Sequence, residues 1–519
     1  MRRSIARYSI QMETSKPQFR QSSPSSSSRL SLFSRLLYLS HLKSRSNLCI
    51  VFALIVFFLV IFSLFSILRS DGDRKFGIVI DGGSTGTRVH VYCYFAGTGV
   101  VDTAASVTMK VNPGLSAYKD NPEQAGESLK ELLDFARRRI RADIWGVTEV
   151  RLMATAGMRL LDAGVQEKIL ESCRNVLRIS GFMFRKNWAT VITGSDEGIY
   201  AWVTANYALG TLGSDPQKTT GIIELGGASA QITFVSSESL PSELSHTLTI
   251  GKTTYNLYSH SFLHFGQNVA YDSLYKSTSQ GNLNSHPCIP RGYPLDLESK
   301  FIDGILSSDS QIATGNYSEC RSASLSLLHY EKDSCEYKIC NMGSVFVPQL
   351  KGRFLATENF FYTSKFFGLS SSSFLSDMVI AGKQFCEDDW VNLKRKYHFS
   401  VEEDLMRYCF SSAYIVAMLH DSLGIPLDDR RIVFANEVDD VPLDWALGAF
   451  IMNRMSDIDR EHPESISSVI RSNSSALKSA LVISLFILIA WWISRWKKPQ
   501  LKTIYDLEKG RYIISRVSP

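Results

Sequence analysis

Two long apolar runs, one near each end of the 519-residue chain, predict helices that cross a membrane. The first, 48–68, has 21 residues and no charge, and a helix of about 20 residues spans a hydrocarbon core of roughly 30 Å. The second, 477–494, is long enough if the charged end of Lys478 reaches the interface. A cleaved signal peptide is the alternative for the first run, and a buried core helix is the alternative for the second.

Basic residues on the outer side of each run predict the topology. Residues 1–47 carry nine Lys or Arg and one acid, and three Lys or Arg lie within 495–498. The positive-inside rule then places 1–47 and the tail 495–519 in the cytosol, and the chain between the runs in the lumen or outside the cell. The Ser-rich stretch 21–31 predicts disorder in the first tail. The expected location is the Golgi or the plasma membrane.

Between these runs, two segments of alternating apolar and polar residues predict a repeated strand–turn–strand unit. Residues 76–92 read FGIVIDGGSTGTRVHVY, and residues 221–235 read GIIELGGASAQITFV. Aligned without gaps, Asp81 coincides with Glu224. This duplication predicts an α/β protein with two related lobes that face each other across a cleft.

The turns of the two units predict a clamp for phosphate groups. Glycine lets the backbone approach a ligand closely and adopt a positive φ, and successive backbone N–H groups form an anion-binding concavity. A carboxylate at the end of the first strand, such as Asp81 or Glu224, can hold a hydrated divalent cation. Because a strand follows each turn, neither unit is a Walker loop or a dinucleotide fingerprint. An ordinary Gly-rich hairpin is the alternative for one copy, and the second copy favours the clamp.

Two further segments between the repeated units end at places where a cleft is expected. Residues 151–159 are a β-rich run that ends in small residues, and 191–198 are a strand that ends in Asp196 and Glu197. An acid at the carboxyl end of a strand lies where α/β sheets open toward a cleft. A solvated turn acid is the alternative for Glu197. Residues 119–142 predict an amphipathic helix whose apolar stripe belongs to the core.

Charge and cysteine usage narrow the class of protein. The chain has 56 Lys and Arg against 51 Asp and Glu, a small excess without a basic stripe, which argues against a nucleic-acid partner. Sequons at Asn316 and Asn473 predict N-glycosylation. A cluster of six cysteines predicts three disulfides, with nearest-neighbour pairing expected among fifteen connectivities, and a zinc site is the alternative. The six are Cys288, Cys320, Cys335, Cys340, Cys386 and Cys409.

These segments resemble the five conserved regions of the nucleoside triphosphate diphosphohydrolase (apyrase) family, and the first is most like plant-type, membrane-anchored members. In chain order the matching segments are 81–88, 154–159, 193–198, 224–231 and 436–448. The resemblance covers roughly 75–460 and implies an actin/hexokinase-like fold with two ribonuclease-H-like lobes. On that fold 75–193 forms lobe I, which about 437–465 completes, and 194–436 forms lobe II with the disulfides.

The resemblance also implies an enzyme that hydrolyses nucleoside tri- or diphosphates by metal-assisted attack of water. Nucleotides are then the partners, Ca²⁺ or Mg²⁺ is the cofactor, and no protein partner is predicted. Asp81 and Glu224 match the metal positions, and Glu197 matches the general base, with Ser229 and Gln231 orienting the water. The matching phosphate-binding positions are Gly83, Ser84, Thr85, Gly86, Thr87, Arg88, Thr155, Gly226, Gly227, Ala228 and Ser229.

The remaining positions concern the nucleoside and the departures from the family pattern. Trp445 matches a residue that buttresses the cleft, and Tyr414 or Tyr408 is a candidate to stack on the base. Glu224 stands where the family usually has Asp, which moves the carboxylate by about one C–C bond, and Gly86 stands where several animal members have His. Two alternative functions are a related phosphatase or sugar kinase, such as an exopolyphosphatase, and a catalytically weak actin-like membrane receptor or scaffold.

Overall fold

The computed structural model describes most of the chain between the two apolar runs and a short hairpin near the C-terminus. The described residues are 74–96, 99–280, 285–295, 312–329, 335, 337, 340–398, 400–461, 501–506 and 511–516. Within those ranges no helix combines the length and apolar character needed to cross a membrane. The predicted spans 48–68 and 477–494, the tail 1–47 and the sequon at Asn473 lie outside the described residues, and only two strands of the tail 495–519 are described.

The fold is built around two mixed β-sheets, one in each lobe. The strands are β1 (Arg74–Gly82), β2 (Thr87–Phe95), β3 (Val101–Val111), β4 (Glu149–Ala154), β5 (Ala189–Val191), β6 (Gly221–Leu225), β7 (Ser229–Val235), β8 (Ser245–Ile250), β9 (Thr253–Leu263), β10 (Ser285–His286), β11 (Ile312–Ala313), β12 (Phe354–Glu358), β13 (Ile432–Phe434), β14 (Glu437–Val438), β15 (Val441–Pro442), β16 (Leu501–Asp506) and β17 (Arg511–Arg516). Lobe I has the sheet order β3-β2-β1-β4-β5, and lobe II has β13-β12-β6-β7-β9-β8.

Helices cover both faces of these sheets. They are α1 (Pro122–Arg139), α2 (Ala156–Arg159), α3 (Ala163–Arg178), α4 (Gly194–Ala208), α5 (Gln267–Gln280), α6 (Tyr317–Leu328), α7 (Asn359–Phe366), α8 (Leu375–Glu387), α9 (Trp390–Lys396), α10 (Glu402–Leu405), α11 (Tyr408–Val416) and α12 (Trp445–Glu461). The predicted apolar stripe of 119–142 is buried in α1 against the lobe I sheet.

The two lobes repeat one topology. In lobe I, β1 pairs antiparallel with β2 on one side and parallel with β4 on the other. In lobe II, β6 pairs antiparallel with β7 and parallel with β12. The next parallel neighbours, β5 and β13, complete the match. The predicted two-lobe α/β fold is therefore confirmed.

The period of two along the central strands places the acids of the repeated units on facing surfaces. On β1, Ile78 and Ile80 join the core under α1, whereas Val79 joins a core shared with lobe II. Asp81 follows Val79 on the same face. On β6, Ile222 joins the shared core and Glu224 follows it. The two carboxylates therefore point into the space between the sheets.

The shared core is built by α4 and α12, which lie between the two sheets. Trp202 on α4 is fully buried there beside residues of both lobes. Gly77 on β1 leaves room for the ring of Phe450 on α12. Farther along α12, Arg454 Nη2 donates to Glu149 Oε2 at 2.8 Å. The last helix of the domain therefore returns to lobe I and runs back along its sheet, away from the carboxyl ends of the strands.

Three disulfides lie in lobe II, with the nearest-neighbour pairing that the sequence predicted. They are Cys288–Cys320, Cys335–Cys340 and Cys386–Cys409. Cys93 and Cys173 are buried and lie outside these disulfides. Asn316 is half-buried at the start of α6, where its Oδ1 accepts the Glu319 N–H at 3.2 Å. That bond leaves the amide nitrogen of Asn316, the atom to which a glycan attaches, without a role in the cap.

Candidate active site

A cleft opens between the sheets at the carboxyl ends of β1, β4, β6 and β12. Its walls are formed by Asp81, Gly83, Ser84, Thr85, Gly86, Arg88, Lys110, Thr155, Ala156, Glu197, Glu224, Gly226, Gly227, Ala228, Ser229, Gln231, Asn268, Glu358, Asn359, Tyr362, Asp444 and Trp445. The structure thus brings together the predicted metal and catalytic residues and all but one of the predicted phosphate-binding residues. The exception is Thr87, which is fully buried at the start of β2 and is absent from the cleft wall.

The turns of the two repeated units face each other across this cleft. Loop I (83–86) joins β1 to β2, and loop II (226–228) joins β6 to β7. A Cβ on Gly227 would lie 2.8 Å from Ser84 Oγ and 2.9 Å from Thr85 Cγ2. Any larger residue at this position would require the Ser84 and Thr85 side chains of the opposite loop to move. The predicted pair of facing glycine-lined turns is therefore present.

Crowding, not backbone conformation, explains the glycines of these loops. None of the glycines in loops I and II has a positive φ, so the expectation that they adopt left-handed backbone is wrong. A Cβ on Gly83 would lie 2.8 Å from the Gly86 carbonyl oxygen, and one on Gly86 would lie 2.9 Å from the Val111 carbonyl oxygen. Glycine is needed here because the backbone folds closely on itself and on β3.

Loop II turns its carbonyl groups away from the cleft. The Gly226 carbonyl accepts the Gln267 N–H at 2.9 Å, and the Gly227 carbonyl accepts the Asn268 N–H at 3.0 Å, both from the first turn of α5. The Ala228 carbonyl accepts the His264 N–H at 3.0 Å. With its acceptors satisfied by lobe II, the loop presents a wall suited to an anion.

Asp81 and Glu224 have the properties expected of cation ligands. Their side chains are buried, and Asp81 Oδ1 and Glu224 Oε2 have no hydrogen-bond partner among the described residues. Burial, reinforced by the Asp444 charge, raises the pKa of Asp81 well above its usual value. Burial and then Glu197 do the same to the pKa of Glu224. Two buried, unpartnered carboxylate oxygens fit a hydrated divalent cation.

Asp81 and Glu224 do not belong to a larger cluster of metal-binding side chains among the described residues. Among the described residues, no three His, Cys, Asp or Glu side chains converge closely enough to enclose a metal ion. The predicted site needs only two carboxylates because most of the contacts were expected to pass through water.

Glu197 is held by an arginine to which the sequence analysis gave no role. It lies in the first turn of α4 and accepts a hydrogen bond from Arg159 Nη2 at 2.7 Å. Burial raises the pKa of Glu197, and the Arg159 charge opposes that shift. A carboxylate whose pKa is raised is a better proton acceptor near neutral pH.

Ser229 and Gln231 extend this arrangement into lobe II. Gln231 Nε2 donates to Ser229 Oγ at 2.5 Å and to Ser261 Oγ at 3.2 Å. Arg159 Nη2 lies 3.4 Å from Ser229 Oγ. Because the serine oxygen accepts from nitrogen donors, its own proton is free to be donated to a ligand in the cleft.

Several cleft residues were missed by the sequence analysis. Glu358 ends β12, at the place where β4 has Ala154 in lobe I. Asp444 precedes Trp445 and lies 3.4 Å from His90 Nε2. Lys110 and Tyr362 also line the cleft. Of these residues, only Asp444 could have been found from the sequence, because it lies inside one of the five matched segments. Glu358 could not, because it ends a strand that no glycine turn follows.

The aromatic residues differ from the prediction. Tyr414 is fully buried, and its hydroxyl donates to the Phe265 carbonyl at 2.8 Å, so the prediction that it lines the nucleotide cleft is wrong. Tyr408 stacks on Phe366 with 3.5 Å between ring centroids. Trp445 lines the cleft as predicted and stacks on Tyr200. The aromatic side chain with an accessible face in the cleft is Tyr362, which is 47% exposed.

The family model of the GDA1/CD39 (nucleoside phosphatase) family matches residues 67–467. The chain belongs to this family. It is 52% identical over 489 residues to "Probable apyrase 6" of Arabidopsis thaliana, covering 88% of both chains. It is 31% identical over 416 residues to the mouse (Mus musculus) "Ectonucleoside triphosphate diphosphohydrolase 3", covering 72% of this chain and 77% of that one. The family resemblance drawn from the five segments is therefore confirmed.

A solved structure with a similar arrangement supports the fold. The nucleoside triphosphate hydrolase of Neospora caninum aligns with a TM-score of 0.57, covering 79% of this chain and 98% of that chain at 18% sequence identity. At that identity the likeness concerns the arrangement of the two lobes alone.

Proposed function

We propose that this GDA1/CD39 family member is an apyrase, which hydrolyses the terminal phosphate of nucleoside tri- or diphosphates by metal-assisted attack of water. The observation that carries the proposal is the pair of facing glycine loops, with Asp81 and Glu224 at their bases. The relatives named as apyrase and nucleoside triphosphate diphosphohydrolase support the substrate class. The phosphate tail would lie between loops I and II.

Asp81 and Glu224 would hold Ca²⁺ or Mg²⁺ beside this tail, mostly through water. The bound cation would neutralise charge that develops on the phosphate oxygens. The two carboxylates approach from different lobes, so the substrate complex would also join the lobes. Glu224 in place of the usual Asp reaches farther into the cleft from β6.

Glu197 would act as the general base. It would take a proton from water as the water oxygen attacks the terminal phosphorus, and the bond from phosphorus to the bridging oxygen would break. Orthophosphate and the shortened nucleotide are the products. Arg159 would keep the Glu197 carboxylate in place, while Ser229 and Gln231 would orient the water. General-base assistance is typically worth about 10²–10⁴ in rate.

Tyr362 is the proposed contact for the base, in place of Tyr414. Its ring is accessible in the cleft, and its hydroxyl is hydrogen-bonded to Asn436. Stacking on an aromatic face is open to every base. A platform of this kind predicts activity on several nucleotides and only modest preference among them.

The membrane topology and the cellular location of the enzyme are also proposals. The apolar runs 48–68 and 477–494 would anchor it by two spans, with the active site in the lumen of the Golgi or at the cell surface. The cysteine pairs in lobe II support an oxidising compartment. Glycosylation at Asn316 and Asn473 belongs to the same proposal.

The decisive experiment is a phosphate-release assay of the full chain, purified in detergent. ATP, ADP, GDP, UDP and inorganic polyphosphate are each tested with Ca²⁺, with Mg²⁺ and with EDTA. Release from nucleotides in either metal, and none in EDTA, is the expected result. Preference for polyphosphate would favour the exopolyphosphatase alternative, and no release from any substrate would favour the receptor or scaffold.

A further inference from the structure

The cleft holds more carboxylates than the proposed chemistry uses. Asp81 and Glu224 are committed to the cation, and Glu197 is paired with Arg159. Glu358 and Asp444 also line the cleft and have no part in binding metal or activating water. The five carboxylates that line the cleft therefore outnumber its basic side chains.

Two of the basic groups form a pair that would attract phosphate by itself. Arg88 on β2 and Lys110 on β3 are direct cross-strand partners in the lobe I sheet, and both line the cleft beside loop I. Arg88 is only partly engaged, since its Nη1 lies 3.5 Å from Asp81 Oδ2. Neighbouring Arg and Lys side chains bind phosphate oxygens strongly. Without opposition, this pair would bind a polyphosphate whether or not it carries a cation.

Glu358 opposes this pair from the other lobe. Glu358 ends a lobe II strand and lines the same cleft as Arg88 and Lys110. Burial acts to lower the pKa of Arg88, but the charges of Glu358, Asp444 and Asp81 together raise it. Glu358 acts in the same direction on Lys110. A lobe II carboxylate therefore shares the attraction on Arg88 with Asp81, whose Oδ2 lies 3.5 Å from Arg88 Nη1.

The backbone at Glu358 shows that this carboxylate is kept at a local cost. Its φ is +60° and its ψ is −120°, a conformation that is essentially restricted to glycine. The Glu358 N–H donates to Asn436 Oδ1 at 2.7 Å, which fixes the residue to the segment that returns to lobe I. The equivalent strand end in lobe I carries Ala154, so the repeated fold does not itself require an acid here.

We propose that Glu358 is a specificity-determining residue that cancels the attraction of Arg88 and Lys110 for metal-free polyphosphate, so that the cleft accepts a nucleotide only with its divalent cation. This inference rests on the proposed function. A metal-free nucleotide tail carries three or four negative charges, by its ordinary ionisation, and meets the Glu358 carboxylate in the same cleft as Arg88 and Lys110. The cation removes two of those charges and also engages Asp81 and Glu224. Rejection of the wrong form of a ligand by a like charge is a common route to specificity.

The test measures binding, not turnover. The full chain in detergent is titrated with the non-hydrolysable β,γ-imido analogue of ATP, with either Ca²⁺ or EDTA, at about pH 8, because burial raises the pKa of Glu358 above its ordinary value. The unsubstituted chain is expected to bind only with Ca²⁺. Glu358→Gln is expected to tighten binding in EDTA by about tenfold or more, while binding in Ca²⁺ changes by less than about threefold.

Three further variants sharpen the result. Glu437→Gln removes the same charge from an exposed position close to Asn436 and is expected to bind like the unsubstituted chain. Arg88→Gln added to Glu358→Gln is expected to reverse the gain in EDTA. Glu358→Gly removes the charge and suits the positive φ, so it provides a second variant expected to fold at least as well as the unsubstituted chain.

Each outcome decides the question. If Glu358→Gln and Glu358→Gly bind the analogue in EDTA no better than the unsubstituted chain, or if they lose the Ca²⁺-supported binding, the role given to Glu358 is overturned. If the unsubstituted chain fails to bind the analogue in both Ca²⁺ and EDTA, the proposed function itself fails, and this result is distinct from the other two.

Discussion

At the residue scale, the reacting side of the cleft depends on Arg159, which contacts Glu197 on α4 and Ser229 on β7. Its Nη2 donates to Glu197 at 2.7 Å and lies 3.4 Å from Ser229 Oγ, whereas its Nε and Nη1 have no hydrogen-bond partner among the described residues. Arg159 therefore links the base to Ser229 at the start of β7.

Replacing Glu197 by Gln is expected to separate catalysis from binding. The amide keeps the shape of the side chain but cannot take the proton from water, so kcat should fall by about 10²–10⁴. Binding of the non-hydrolysable analogue and the thermal midpoint of unfolding should stay close to those of the unsubstituted chain. Steady-state kinetics and thermal unfolding measure these quantities, and turnover at the original rate would remove Glu197 from the mechanism.

Tyr362→Ala is expected to weaken nucleotide binding through the base. Loss of one base–aromatic stack costs about 1–3 kcal/mol, which corresponds to a rise in KM of roughly five- to 150-fold. Tyr414→Phe is the matched control, because it removes a buried hydroxyl outside the cleft and should leave KM unchanged. An unaltered KM for Tyr362→Ala across ATP, GDP and UDP would show that the base binds elsewhere.

Asp81 and Glu224 are expected to make the metal-free protein less stable as the pH rises. Their folded-state pKa values lie well above the ordinary 3.8 and 4.5, so the folded state binds more protons than the unfolded state between the ordinary and the raised values. The sign of the linkage is then negative, and stability present below that window is lost as the pH rises through it. A bound divalent cation offsets this loss.

Thermal unfolding of metal-stripped protein between about pH 4 and pH 8 checks this expectation. The stabilisation produced by Ca²⁺ should grow with pH, because metal binding competes with protons. Glu224→Gln should flatten both the pH slope and the Ca²⁺ effect. A Ca²⁺ effect that is equal at all pH values would contradict the assignment of these two carboxylates to the cation.

The sequence predicted the residues of the cleft that belong to short local patterns. Asp81 and Glu224 could be found because each ends a strand and precedes a glycine turn, twice in one chain. The partner of Glu197, Arg159, could not be found in this way, since their contact spans two elements that only the fold brings together. The burial of Tyr414 could not be predicted either, because the local sequence of an apolar helix is the same whether a tyrosine ring faces a core or a cleft.

At the element scale, the shared core depends on the close crossing of α4 and α12. A Cβ on Gly448 would overlap the backbone carbonyl of Tyr200 and lie 2.8 Å from Thr204 Oγ1. The two helices therefore approach each other at a glycine, with the backbone of one helix against the backbone of the other. This crossing carries Glu197 on one helix and Trp445 on the other.

Gly448→Ala is expected to destabilise the protein, because overpacking a close contact typically costs about 1–3 kcal/mol. Gly164→Ala is the matched control: Gly164 lies in helix α3, where an added Cβ would have nothing within 4 Å, so alanine should stabilise by about 0.4–1 kcal/mol. Chemical denaturation of the two variants measures the difference. Equal stabilities would show that α4 and α12 can separate without cost.

The element pattern explains which parts of the fold could be predicted. Strands β1, β2, β6 and β7 could be predicted from alternation and glycine turns. The equivalence of β4 and β12 could not, because β12 has the sequence FLATE and shares no motif with β4. That equivalence is visible only through the pairing of each strand with the central strand of its sheet.

At the scale of the whole molecule, the two ends of the catalytic domain lie on the same lobe. Strand β1 starts at Arg74 and runs toward the cleft, and α12 starts at the cleft and runs back along lobe I. Lobe II has no chain end of its own among residues 74–461. If the two apolar runs anchor the protein as proposed, both would hold lobe I.

A crosslinking experiment tests this arrangement. Cysteines introduced at Lys75 on β1 and Ser456 on α12, both exposed, should be joined by a bifunctional thiol reagent of roughly 10 Å, because a helix rises about 1.5 Å per residue and Phe450 lies against Gly77. Lys75→Cys with Lys351→Cys, which lies in lobe II, should not be joined. Equal yields from the two pairs would contradict the return of α12 to lobe I.

The return of α12 has a practical consequence for how the protein can be presented to substrate. Both ends of the domain lie on lobe I, at the end of that lobe away from the cleft. A solid support attached to both ends would therefore leave the cleft open to the bulk solution. Chips or beads coupled through these two points should retain access for ligand, because both points lie at the end of lobe I that faces away from the cleft.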